Sequence, residues 1–184
     1  YTRKLFRSVE RVKWGAEQYA LELMVQVGHL SDLVLRQEYK LNRRTEEENA
    51  DAIADEISDV VLNIFSIADV FSVSVPALVR EKLGLRFNEI VNNEKLFEDL
   101  ESGDQNDTQI NSAMLELSKQ SALLASMVTA VEKEDVGQME LNQALLDSLK
   151  ACFTVLTFYK VNLHKAFDKM ILESETFVEK NKLT

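Results

Sequence analysis

Ile53-Ala-Asp-Glu-Ile-Ser-Asp-Val-Val-Leu-Asn-Ile-Phe-Ser-Ile-Ala68 is the stretch that decides the fold. Ile53, Ile57, Val60, Val61, Ile64, Ile67 and Ala68 recur at steps of three and four, which puts them on one side of a helix and predicts a long amphipathic element. Just upstream, Thr45 and Glu48 have the spacing of a capping box. In that motif each side chain satisfies the other residue's free backbone donor, so the helix is expected to begin there.

Working outward, Leu21, Val25, Gly28, Leu30, Leu33 and Val34 also follow helical spacing and predict an earlier helix, separated from the first by the polar stretch 37–49. Downstream, Pro76 follows the β-branched patch Val73-Ser-Val75, and proline suits a first helical turn, where its missing donor costs nothing. A third helix is expected from about Pro76 toward Glu101, with Gly84 costing about 1 kcal/mol inside it. Residues 102–107, polar and rich in turn formers, read as a linker between a first half, 1–101, and a second half, 108–184. The second half predicts helices over 110–131, 139–159 and 163–178, repeating the order of the first. A shift of 88 positions places Asp59 on Asp147, Ile64 on Cys152, Phe65 on Phe153 and Val75 on Leu163. The expected fold is an all-α bundle of about six or seven helices, with two related halves packed together.

Composition supports this and removes several function classes. One proline and five glycines in 184 residues are too few for the frequent turns of a sheet protein. A net charge of −10 disfavours DNA binding, which depends on clustered cations. The basic opening Arg3, Lys4, Arg7, Arg11 and Lys13 reads as a solvated helix face. Cys152 is the single cysteine and sits in an apolar run, so a buried free thiol is expected. Asn63 and Asp69 interrupt the best apolar run, so no membrane span is expected. Together these point to a soluble protein of a reducing compartment such as the cytoplasm or the mitochondrial matrix. There is no Gly-rich phosphate loop, no Cys or His metal spacing and no nucleophile motif. His164 reads as a surface or capping residue, and Trp14, near Tyr19, as an aromatic anchor.

One constellation carries chemistry. Glu56 and Asp59, three residues apart on the deciding helix, project from one face and can converge on a hard cation. The surrounding segments, Asp55 to Leu62, Ile67-Ala-Asp69 and Val75-Pro-Ala-Leu78 with Lys82, resemble the second half of the motif of the MazG-like, all-α nucleotide pyrophosphatases. Leu23 to Asp32 resembles its first half, so the likeness covers roughly residues 15–90. In that family a Glu-x-x-Glu pair and a Glu-x-x-Asp pair hold magnesium on a nucleoside triphosphate while water releases pyrophosphate and the monophosphate.

By this resemblance Glu56 and Asp59 are the retained pair, whereas Gln26 and His29 stand where two glutamates belong. Gly28 fits the small residue between them; Asp32 and Glu22, one turn to either side, are partial substitutes. Lys82 and Arg86 would contact phosphate, and Arg86 occupies a position where asparagine is typical. Gln26 offers one neutral oxygen; His29 suits a transition ion better than magnesium. In the second half the corresponding pairs read Glu116 with Lys119 and Ala144 with Asp147, which leaves no family-type cluster. The resemblance therefore implies a noncatalytic helical protein serving as an interaction or scaffold subunit beside other proteins. The alternative is a magnesium-dependent pyrophosphohydrolase acting on a nucleoside triphosphate.

Overall fold

The computed structural model describes residues 14–41, 45–83, 107–132 and 137–181. Within them lie six helices and no strand: α1 (Ala16–Glu38), α2 (Glu46–Val70), α3 (Val75–Leu83), α4 (Asp107–Glu132), α5 (Gln138–Phe158) and α6 (Leu163–Asn181). The capping box that starts α2 is made as the sequence predicts. Glu48 N–H donates to Thr45 Oγ1 at 3.2 Å, and Thr45 N–H donates to Glu48 Oε2 at 2.7 Å. Pro76 falls in the first turn of α3. The continuation of α3 past Leu83 and most of the 102–107 linker lie outside the described residues.

α1, α2, α5 and α4 form a closed ring in which each packs along two neighbours: α1 on α2 and α4, α5 on α2 and α4. The third helix of each half crosses to the other half, so that α6 lies on α2 and α3 touches α5. Leu23, Leu30, Ile53, Ile57, Ile64, Ile67, Leu117, Leu124, Leu141 and Leu145 are fully buried between the ring helices. Each contributes roughly 2 kcal/mol of burial. Ser148 Oγ donates to Gln120 O at 3.1 Å and ties α5 to α4 inside this core.

One expected core stripe is corrected. α1 buries Leu23, Val27, Leu30 and Val34, whereas Leu21, Val25 and Gly28 face outward, with Leu21 69% exposed. Steps of three and four fit either register on a helix apolar on both sides, and packing against α2 and α4 selects one. On α4, Leu115 is 73% exposed and Leu123 also faces solvent, while Leu124 is buried and Met127 and Val131 pack at the edge of the core. Cys152 is a buried free thiol, and burial pushes its pKa up. Trp14 packs against the core beside Tyr19, ring centroids 5.5 Å apart.

The turn that ends α2 is also made at the ends of α1 and α5; at α1, Tyr39 donates to Leu35, Lys40 to Gln37 and Leu41 to Arg36. Phe71 N–H donates to Ile67 O, Ser72 N–H to Asp69 O and Val73 N–H to Ala68 O. Tyr159 donates to Val155, Lys160 to Thr157 and Val161 to Leu156 in the same pattern, every atom 88 positions on. Lys40, Ser72 and Lys160 are the left-handed residues of the three turns, with φ of 51°, 58° and 52°. Such a residue redirects the chain while its neighbours satisfy the last carbonyls of the helix. No helix among the described residues is by itself long and apolar enough to cross a membrane, and α2 and α3 meet at 99°.

Candidate functional site

The acidic face of α2 is held between α1 and α6. From α1, Gln26 Nε2 donates to Glu22 Oε1 at 2.7 Å, and Gln26 Oε1 lies 3.3 Å from His29 Nδ1. The same His29 nitrogen lies 3.7 Å from Glu56 Oε2 on α2. That oxygen is buried and has no hydrogen-bond partner among the described residues. Burial raises the pKa of Glu56; His29 opposes the rise and Asp55 adds to it. Asp59, one turn on, is pushed up to about 6, first by burial and then by the carboxylates of Glu56, Asp55, Glu22 and Glu173. The site is thus a chain of side chains, Glu22, Gln26, His29 and Glu56, running beside a half-buried carboxyl surrounded by like charge.

Two of the sequence-derived candidates are elsewhere. Asp32 accepts a hydrogen bond from Arg36 Nε at 2.6 Å on the exposed side of α1, which follows from their i, i+4 spacing. Lys82 pairs with its neighbour Glu81 at 2.9 Å, about half exposed. Arg86 lies outside the described residues. Glu22, Gln26, His29, Glu56 and Asp59 are the candidates that α1 and α2 bring to one place.

Residues of α6 complete the site. Glu173 acts on Asp59 electrostatically, and Lys169 Nζ holds both oxygens of Asp55 at 2.9 Å, an attachment that raises the lysine's own pKa. Lys169 and Glu173 are separated by one helical turn, a spacing visible in the sequence. Their destination was not visible, because it depends on α6 crossing from the second half onto α2. The corresponding place in the second half is filled differently: Ala144 is in the core, Asp147 is taken by Gln143 at 2.8 Å and Lys150 at 3.5 Å, and Glu116 pairs with Lys119 at 3.2 Å.

Magnesium demands near-octahedral oxygen donors at about 2.1 Å. The described residues bring no three Asp, Glu, His or Cys side chains together as a ligand set. The imidazole nitrogen beside Glu56 is a poor donor for a hard cation, and Gln26 offers one neutral oxygen, 3.3 Å from that imidazole, in place of a carboxylate. As arranged, these residues do not fit the magnesium site of the resemblance. Fold and site together define an all-α bundle with one acidic face closed by a histidine, a glutamine and a lysine. Comparison with protein-family models, curated proteins and solved structures gives no match.

Proposed function

We propose that this chain is a noncatalytic, MazG-like helical protein that serves as an interaction or scaffold subunit of a larger assembly. The observation that carries the proposal is the contact of His29 with Glu56 at 3.7 Å, in a place where the resemblance calls for a second carboxylate. A cation there would meet the His29 imidazole, the Gln26 amide and a single carboxylate, Glu22, on the α1 side, while Asp32 is engaged by Arg36. The core is intact around the altered face, so the scaffold persists where the reaction's ligands do not; function follows the site rather than the fold. Exposed Leu21 and Val25 on α1, Leu115 on α4 and Met139 on α5 supply apolar surface for protein contacts.

The second reading is a metal-dependent nucleoside triphosphate pyrophosphohydrolase. It is favoured by the buried, unbonded Glu56 Oε2 and the raised carboxyl of Asp59, since a bound cation would relieve both. The deciding experiment measures pyrophosphate released from each common nucleoside and deoxynucleoside triphosphate with magnesium or manganese. Release at the level of the protein-free blank supports the scaffold; release that Glu56→Gln abolishes establishes the enzyme.

A further inference from the structure

The turn from α5 into α6 faces the first half of α2 across a cavity of about 360 Å³, distinct in position from the His29–Glu56 contact. Asp51 and Asp55 line its α2 side, and Lys160, Lys165 and Lys169 its other side. Lys169 is committed to Asp55. Lys160 and Lys165 make no ion pair or side-chain hydrogen bond with any described residue. The first turn of α6, a 19-residue helix, opens at the same place, where Asn162 Oδ1 accepts the Lys165 N–H at 3.0 Å. With Lys169 paired to Asp55, Lys160 and Lys165 stand against one remaining lining carboxylate, Asp51, beside the positive end of a helix.

The repeated turn shows that these cations are not needed to build it. The positions 88 earlier hold Ser72, Ala77 and Glu81 in place of Lys160, Lys165 and Lys169, with the same backbone hydrogen bonds around Ser72. The turn that closes α1 carries a lysine, Lys40, at the position of Lys160, so Lys165 and Lys169 are the cations that set this cavity apart from the turn itself. A phosphoryl group carries about two negative charges and several strong acceptors, which suits two exposed ammonium groups. The volume is near the lower end of small-molecule pockets, the size of a sugar phosphate.

We propose that this cavity binds a small phosphorylated metabolite, with the phosphoryl group held by Lys160 and Lys165 and the organic part lying against Ala54 and Ala166. The cavity shares Asp55 and Lys169 with the edge of the acidic face, but Lys160 and Lys165 lie outside that face, and the proposal does not rest on the scaffold reading.

The test is a titration of the isotopically labelled full chain with ribose 5-phosphate, inorganic phosphate and ribose in parallel, followed by amide NMR. Saturable shifts concentrated in residues 159–169 are expected with ribose 5-phosphate, weaker ones with inorganic phosphate and none with ribose. The double variant Lys160→Ser, Lys165→Ala installs the first half's residues and is expected to weaken binding by about tenfold or more, through loss of two charge-assisted contacts. Its spectrum elsewhere, unchanged, shows that the fold is kept. Absence of saturation by about 20 mM ligand, an affinity too weak to use, would overturn the proposal. So would shifts that the double variant retains, or inorganic phosphate binding as tightly as the sugar phosphate.

Discussion

Replacing Asp59 with asparagine is expected to stabilise the protein at neutral pH and to leave it unchanged in acid. An unfolded aspartate titrates near 3.9, while in the fold burial and the surrounding carboxylates push Asp59 up to about 6. Between these values the native state binds more protons than the unfolded chain, so stability falls as pH rises from about 4 to about 6 and is level above that. Full linkage over this interval amounts to about 3 kcal/mol. Asp59 is only part-buried and shares its titration with Glu56, so about 1–2 kcal/mol is the expected share. Asparagine keeps the shape and removes the charge, and the Asn63 side chain donates to the Asp59 backbone carbonyl, which the exchange leaves intact. Urea unfolding of both proteins at pH 4 and at pH 7.5 reads the effect directly. The midpoints coincide at pH 4, and at pH 7.5 the variant's lies higher by roughly 0.5–1 M, for a slope of about 2 kcal/mol/M. A variant less stable than the parent at pH 7.5, or one with the same difference at both pH values, would refute the placement of Asp59 among like charges.

Changing Gln26 and His29 together to glutamate restores the carboxylates of the resembled motif; in chelator the variant melts below the parent because the acids repel. Millimolar magnesium then raises its stability by about 1.4 kcal/mol at tenfold excess over Kd, and leaves the parent unmoved; equal magnesium responses in calorimetry would count against the role given to His29. Thr45→Ala removes the cap of α2 and costs about 1 kcal/mol in urea unfolding. Leu145→Ala empties a fully buried site between the ring helices and costs about 2–5 kcal/mol by the same measurement. Lys169→Met severs an exposed ion pair and changes stability by less than about 1 kcal/mol, a loss that salt also produces.

The helices were legible because their signals are local. The Thr45–Glu48 box, Pro76 and the three-and-four spacing over 53–68 each act within a few residues, and each is realised in the fold. The turns at Ser72 and Lys160 lie 88 positions apart, but the same hydrogen bonds close α1 at Lys40, so this ending is common to three helices rather than a mark of the 88-position shift. The choice of face was less legible: α1 is apolar on two sides, and only its neighbours decide that Leu23 and Val27 go in while Leu21 and Val25 stay out. For the site, spacing on α2 put Glu56 with Asp59, whereas only the resemblance implied that Gln26 and His29 would meet them. Asp32 was lost to a local partner, Arg36, that the same i, i+4 rule provides. Glu173 and Lys169 were hidden because their contacts span more than a hundred residues, and no local pattern says which helix α6 will cross.

The central claim is that the acidic face no longer performs phosphate chemistry, and the most direct measurement is pyrophosphate release by the full chain under saturating magnesium or manganese with each nucleoside triphosphate in turn. The account predicts release equal to the protein-free control for every substrate and no change on Glu56→Gln. Turnover well above that control with any one of them, lost on Glu56→Gln, would contradict it.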